Sequence, residues 1–470
     1  MKKIVAVICS IALLMAGIPA GIILTKATAA SKEVEFDESN IVLKTGVISD
    51  PHLSYSNYSL QRITERTQGY ANAIAQLNEM AGGELDAVMM LGDYTSTGNK
   101  IQGETFAQAT KVIFDGVFGE GNWPVLSLAY GNHDTYWKFA SPEYSSMSVS
   151  EWESLFKTYA LLNDGVDTDG LGSYHYKVVK GEKEFHYITV ETQKYNPNEY
   201  AAETLEWLDN LLSTISSDEY VYVGSHAPIQ KSGVYGTDSE LEKNAAWASA
   251  GSDGLHEVLA KYPQVIYMSG HTHFSECPDT AIMQNDYTAI TVSSLLAQNF
   301  YSAKSPYIDG TDSISGGMGL YIEVDGNGNQ RISRVDFAGS ETVADIVVDA
   351  EKSADLSAEN PAYGLAGEPE YISSLALSSC SVKTKGTASV YGDVWKLPKP
   401  DAEKSQLNYY TKERDEQPAF AESSAVTVSD SLFDEANKTL KATVEFPQTE
   451  NKTLHYRIAF LDENGGLLKE

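Results

Sequence analysis

Five short apolar runs in this chain stop abruptly at residue types that bind cations. Residues 43–48 run into Ser49-Asp50-Pro51-His52, residues 87–91 into Gly92-Asp93, and residues 125–130 into Gly131-Asn132-His133-Asp134. Residues 220–223 lead to Gly224-Ser225-His226, and residues 265–268 to Ser269-Gly270-His271-Thr272-His273. Five of the nine histidines stand in these turns. A buried strand has no packing use for an amide, an imidazole and a carboxylate at its exit. Imidazole, carboxylate and carboxamide groups without cysteine suit borderline divalent ions such as Mn, Fe or Zn. Asp50, His52, Asp93, Asn132, His133, Asp134, His226, His271 and His273 are more groups than one tetrahedral site can use. They suit two metals about 3.5 to 4 Å apart that share a carboxylate, the arrangement used to hydrolyse phosphoesters.

The elements that must position these groups alternate in type. A helical pattern through Leu60, Ile63, Tyr70, Ile74 and Leu77 closes at Gly82-Gly83, and a second helix is expected around residues 104–114. Strand, helix, strand, helix, strand is the pattern of a layered α/β fold. Residues 134–175 are irregular and carry Tyr136, Trp137, Phe139, Tyr144, Trp152, Phe156 and Tyr159. They are either the wall of a site or a helical insertion packing its own aromatics. A strand at 185–190 and an amphipathic helix with Leu205, Leu208, Leu211 and Leu212 on one face restore the pattern. In such folds the carboxyl ends of strands open onto one crevice, so turns distant in sequence can converge there. Residues 287–296 and 319–337 read as β-structure, the second with a turn at Asp325-Gly326-Asn327-Gly328-Asn329. Gln330 stands where a calcium loop wants glycine, so the turn is a hairpin. His175, His186, His256 and His455 lie in or beside amphipathic segments and read as structural.

Asp50-Pro51-His52, Gly92-Asp93, Gly131-Asn132-His133-Asp134, Ser225-His226 and Gly270-His271-Thr272-His273 together resemble the five motifs of the calcineurin-like metallophosphoesterases in type, order and spacing. The resemblance covers residues 41–338 and implies a four-layer α/β/β/α sandwich. It implies that Asp50, His52 and His273 hold one metal, that Asn132, His226 and His271 hold the other, and that Asp93 bridges them. His133 is then the acid that is not a ligand, Asp134 orients it through a hydrogen bond, and a metal-bridging hydroxide attacks phosphorus. The chain departs from the purple acid phosphatases, which it also resembles, at Ser96, where they carry tyrosine, and at His52, which they lack. No iron-tyrosinate colour is therefore expected. Secreted nucleotidases extend the third motif differently from Asp134-Thr135-Tyr136. Bacterial cyclic-nucleotide phosphodiesterase-like and acid-sphingomyelinase-like branches are the most similar, with the choice between phosphomonoester and phosphodiester open. A competing reading is a surface binding protein that keeps the metal site as a relic, which the complete ligand set argues against. The chain has no Gly-Lys dipeptide for a Walker-type loop and no Gly-x-Ser-x-Gly for a serine hydrolase.

Composition sets the remaining bounds. With 65 acidic against 34 basic residues and a net charge of −31, the surface repels phosphate backbones, and no stable nucleic-acid partner is expected. The expected partner is a phosphoester substrate. Met1-Lys2-Lys3, an apolar stretch to Leu24 and then Ala27-Thr28-Ala29-Ala30-Ser31 describe a secretory signal over residues 1–30. The protein is then secreted or extracellular; the alternative is a cell-surface anchor, the only route by which the chain would contact a membrane. Outside the cytoplasm Cys277 and Cys380 are free to pair. Residues 41–338 form the expected catalytic domain. Residues 339–420, rich in Ser, Ala, Pro and Glu, read as an extension or linker, and residues 421–470 as a small C-terminal β unit.

Overall fold

Continuous apolar runs become strands covered on both faces, where alternation has no use. In the computed structural model β1 (Ile41–Ile48), β2 (Ala87–Leu91) and β3 (Val125–Ala129) pair in parallel, with Ile48 opposite Met90 and Leu91 opposite Ala129. The structure describes residues 34–337 except 54–59, 137, 139–144, 164–165, 196–197, 233–250, 275–280, 296–298, 301–307 and 310–316. Beyond 337 it describes 340–350, 372–384, 388–390, 394–400, 411–413, 427–434, 439–445, 460–461 and 467–469. The expected signal segment and Cys277 lie outside the described residues.

The crossovers between the first strands are α1 (Leu60–Met80) and α2 (Lys100–Phe118). Asn99 caps α2 by accepting the Gln102 amide at 3.0 Å, and the left-handed Gly82 and Gly83 follow α1, as expected from the sequence. A single turn, α3 (Asn132–Thr135), leaves β3, and α4 (Val149–Thr158) follows. The second sheet begins with β4 (Asp167–Thr168), β5 (Tyr174–Lys180) and β6 (Lys183–Thr189), paired antiparallel. It continues in parallel through β7 (Tyr220–Ser225), β8 (Val265–Ser269) and β10 (Thr288–Thr291), with β9 (Ile282–Gln284) on its edge. Two helices, α5 (Ala202–Thr214) and α6 (Asp253–Leu259), belong to this half. After the short pair β11 (Asn299–Phe300) and β12 (Ile308–Asp309), β13 (Met318–Asp325) returns to pair antiparallel with β1 and, across the expected hairpin, with β14 (Gln330–Asp336).

Two cores define four layers, α/β/β/α. One joins α1 and α2 to the first sheet and the first sheet to the inner face of the second. The other joins the outer face of the second sheet to α5 and α6, with Leu208 and Leu212 fully buried. Between the sheets, buried tyrosines reach across: the Tyr187 hydroxyl meets Thr45 Oγ1 at 2.6 Å, and Tyr222 donates to Gln330 Oε1 at 2.9 Å. Each satisfies a hydroxyl whose burial would otherwise cost stability.

Residues past 339 do more than extend the chain. A long hairpin of β15 (Ser340–Ala350) and β16 (Ile372–Thr384) lies against α1 and α2. Then β17 (Ser389–Val390) and β18 (Val394–Leu397) pair with β14, and β19 (Thr411–Glu413) pairs with β18. Trp395 and Leu397 are fully buried in the core of the first sheet. The first sheet thus runs β19-β18-β14-β13-β1-β2-β3 with β17 on β14, and the second β4-β5-β6-β7-β8-β10-β9. Contacts divide the chain into a unit of Thr28–Glu413 and another that includes Arg414–Glu470. The second contains the antiparallel pair β20 (Thr427–Asp434) and β21 (Thr439–Glu445). Among the described residues, no helix is long and apolar enough to cross a membrane.

Candidate metal centre

All five turns leave strands at their carboxyl ends: those of β1, β2 and β3 in one sheet, and of β7 and β8 in the other. Their backbone is unusual. Among the described residues only six other than glycine have positive φ, and five of them are Asp50 (54°), His52 (44°), Asp93 (52°), His271 (71°) and His273 (56°). Each such residue costs roughly 1–3 kcal/mol and persists only where its surroundings impose it. At Asp50 and His52 the surroundings do. The Asp50 and His52 amides donate to the carbonyls of Gly92 and Asp93 at 3.1 and 3.0 Å, Ser294 Oγ donates to the Asp50 carbonyl at 3.1 Å, and Arg66 Nη1 donates to the His52 carbonyl at 2.8 Å. Glycine is required beside the site because the backbones approach closely: a Cβ on Gly131 would lie 2.1 Å from Asp93 Oδ1, and one on Gly270 only 1.9 Å from Ser49 Oγ.

The side chains converge in two overlapping groups. Asp50, His52, Asp93 and His273 form one, and Asp93, His226 and His271 the other; within each, the candidate ligand atoms all lie within 4.8 Å of one another. Asn132 joins the second, its Oδ1 being 3.1 Å from His226 Nε2. Asp93 is common to both, with Oδ2 3.2 Å from His226 Nε2 and 3.5 Å from His52 Nε2. Its Oδ1 accepts the His133 amide at 2.8 Å. In the first group His52 Nε2 and His273 Nε2 are 3.2 Å apart, and in the second His226 Nε2 and His271 Nδ1 are also 3.2 Å apart. All seven residues expected as ligands are therefore drawn together.

The electrostatics fit a cation. Asp50 Oδ1 is buried and accepts no hydrogen bond, although His273 Nε2 lies 2.9 Å away. Burial works against charge on Asp50, but the neighbouring His273 and His226 outweigh it and hold the carboxyl well below its usual range. Asp93 is likewise held down, by His226 and His133 against its own burial. Burial would neutralise His226, yet Asp93 and Asp50 raise it to about 10. Burial pulls His52 down to about 4 and His271 to about 3, so both are neutral donors at pH 7. The His226 Nδ1–H donates to the Leu91 carbonyl at 2.6 Å, which aims Nε2 at the cluster.

A metal entering this cluster must displace the His226 proton, because a protonated nitrogen has no lone pair to donate. Chelator-treated protein should therefore bind divalent metal more tightly as pH rises toward about 10 and release protons on binding. Calorimetry at pH 7 in two buffers of different ionisation enthalpy checks this. Identical apparent enthalpies would show that no proton leaves and that the imidazolium assignment is wrong.

The third turn differs from expectation in one contact. Asp134 does not serve as the hydrogen-bond partner that orients His133. Its buried carboxylate accepts the Tyr94 amide at 3.2 Å, the Thr95 amide and hydroxyl at 3.1 Å each, and the Gly131 amide at 3.0 Å. It ties the β2 exit to the β3 exit, because the turn points the side chain back into the fold. His133 is held instead through Nδ1, which donates to the Ser96 carbonyl at 2.6 Å, and its ring lies edge-on to His52 at 4.9 Å. Burial, reinforced by the charge of Asp93, pushes the Asp134 carboxyl up to about 7.

The aromatic excursion packs behind this turn. Trp152 and Phe156 of α4 are fully buried beside Tyr94, Phe106 and Tyr130, and Trp152 Nε1 donates to the Asp134 carbonyl at 2.9 Å. Three groups carry no motif that reveals them. Arg66 braces His52; Tyr195 lies 6.2 and 5.9 Å from the His226 and His271 rings; and Glu191, buried near Asp134, has its carboxyl raised by burial and by the Asp134 charge.

The family follows from this arrangement and from a direct match. Residues 43–275, which contain every residue of the cluster, match the family model described as calcineurin-like phosphoesterase. They form a calcineurin-like phosphoesterase domain. Among solved structures, the chain is similar to GAP50, the anchor in the inner membrane complex of Plasmodium, at 15% identity and a TM-score of 0.34, covering 63% of this chain and 84% of that one. It is also similar to the purple acid phosphatase PPD1 of yellow lupin seeds, at 15% identity and a TM-score of 0.38, covering 63% of this chain and 51% of that one. No curated protein sequence matches the chain.

Proposed function

We propose that the protein is an exported phosphoesterase that works with two divalent metals, Mn, Fe or Zn, on a phosphomonoester or phosphodiester. The observation that carries this reading is the sharing of Asp93 between two ligand groups supplied by both sheets. Asp50, His52 and His273 would hold one cation, Asn132, His226 and His271 the other, with Asp93 between them. Such a pair, when bound, supplies a nucleophile from water at neutral pH and neutralises charge on the phosphoryl oxygens.

The protein's own groups do the rest. The Ser96 carbonyl fixes the Nδ1 proton of His133, so Nε2 is the nitrogen that meets the substrate, donating to the leaving oxygen when the ring is protonated. Asp134 locks the β2 and β3 exits into one register and so holds Asp93, Asn132 and His133 in fixed relation. The bonds that hold Asp50 and His52 in left-handed backbone leave that part of the site little to reorganise on binding.

Metal-stimulated hydrolysis of p-nitrophenyl phosphate and bis-p-nitrophenyl phosphate tests the reading and separates monoesterase from diesterase action. A metal-loaded preparation that hydrolyses neither, nor any of a broad phosphate panel, would favour the surface binding protein with a relic site.

Export rests on Met1-Lys2-Lys3, the apolar stretch and the Ala27-Thr28-Ala29 ending. Sequencing the amino terminus of protein recovered from the medium should find Ala30 or Ser31. An intact Met1 in the membrane fraction would establish the anchor instead.

A further inference from the structure

A second cluster of metal-ligand types lies at the other end of the second sheet. His186 and Glu184 are on β6, and Glu219 immediately precedes β7, in the register that sets Phe185 opposite Tyr220. His186 Nε2 is 3.4 Å from Glu219 Oε2 and 3.9 Å from Glu184 Oε2, and one ligand atom from each residue falls within 4.8 Å of the others. The far side of the His186 ring is already engaged: Nδ1 lies 3.0 Å from His175 Nε2, with the two rings stacked at 5.2 Å. His186 is only 4% exposed, and its Nε2 is buried without a hydrogen-bond partner.

We propose that His186, Glu184 and Glu219 form a further divalent-cation site of the zinc type, with His175 orienting His186 and water completing the coordination. The argument is a balance of donors and acceptors. When His186 Nδ1–H donates to His175 Nε2, Nε2 carries a lone pair directed between two carboxylates. The nearby donors do not reach that nitrogen: Lys177 Nζ bonds Glu184 Oε2 at 2.9 Å, and the Ser216 amide bonds Glu219 Oε2 at 3.0 Å. Lys177 is half-exposed, and its pairing is of the surface kind that gives way at little cost.

The spacing also fits. Arms of about 2.0 to 2.2 Å put tetrahedral ligand atoms roughly 3.3 to 3.6 Å apart. The His186–Glu219 separation already has that value, and the longer one closes by adjustment of the partly exposed Glu184. Imidazole with two carboxylates is a zinc-compatible set, and a histidine that passes its second nitrogen to a neighbour is the usual way a ligand ring is aimed. The site is separate from the strand-end centre, since the seven residue steps along β7 from Glu219 to His226 span about 23 Å at the usual rise per residue. A cation there would clamp the β5–β6 hairpin to the start of β7.

The test is a difference measurement that does not use activity of the strand-end centre. Chelator-treated Asp93→Asn protein, titrated with zinc alone, should still bind one equivalent that Asp93→Asn/Glu219→Gln lacks. Zinc should raise the melting temperature of the first and not of the second. Asp93→Asn/Glu184→Gln repeats the comparison at a partly exposed position should Glu219→Gln fold poorly. In the otherwise unaltered chain, Glu219→Gln should bind one zinc fewer and hydrolyse p-nitrophenyl phosphate at an unchanged rate. Equal zinc content and equal melting shifts with and without the glutamates would overturn the site and make the cluster a structural His-Glu contact. Asp93→Asn protein that keeps this zinc while retaining full phosphoesterase activity would support the site and count against the strand-end reading alone.

Discussion

Asp93→Asn should empty both metal positions together and lower turnover by more than about 10³-fold, because a bound cation contributes several kcal/mol of charge stabilisation and each 1.36 kcal/mol is tenfold in rate. Asp93 is the residue common to both ligand groups. Asparagine keeps the shape and can still accept the His133 amide that Oδ1 accepts at 2.8 Å. It removes the negative charge that holds His226 protonated and that would be shared between two cations. The fold should therefore survive while both sites weaken, which distinguishes this variant from one that loses a single ligand: His271→Ala should empty the second group and spare the first. Metal analysis by mass spectrometry beside a turnover assay decides the matter. An Asp93→Asn protein that retains two strand-end equivalents and full activity would remove Asp93 from the bridging position.

What the sequence made legible and what it hid divide along physical lines. The strands that carry the cluster were visible because burial on both faces leaves an unbroken apolar run, and their exits were visible because polar ligand types follow at once. Convergence followed from topology, since parallel strands joined by crossovers share one carboxyl edge. Val394–Leu397 was hidden for the opposite reason. Four residues are too few to show a period, and Trp395 and Leu397 find their place only by pairing with β14, some sixty positions earlier in the chain. The role of Asp134 was misplaced because sequence shows side chains and not backbone donors. The amides of Tyr94, Thr95 and Gly131 that take its carboxylate, and the Ser96 carbonyl that takes His133, belong to the main chain and carry no residue-type signature. The left-handed backbone at Asp50, His52, Asp93, His271 and His273 was equally unreadable, because these residue types do not require it; at Asp50 and His52 it is held by bonds to residues distant in sequence.

His133→Ala should leave strand-end metal content nearly unchanged while lowering turnover by about 10² to 10⁴, the usual range for losing a general acid. The geometry supports a role beside the metals: the Ser96 carbonyl, and not a carboxylate of the cluster, takes the Nδ1 proton, and the ring stands edge-on to His52 at 4.9 Å. The main-chain amide of residue 133 still reaches Asp93 in the alanine variant, so the bridge is not disturbed. The loss should depend on the leaving group. p-Nitrophenolate departs as a weak base and needs little protonation, whereas an alkyl phosphate expels a strongly basic alkoxide, so the alkyl ester should lose far more rate. Comparing kcat for the two substrates in both proteins, with metal content measured on the same samples, separates three roles. Equal losses on the two esters would make His133 a phosphate-positioning group. A missing metal equivalent would make it a ligand, and the division of labour between Asn132 and His133 at this turn would have to be reversed.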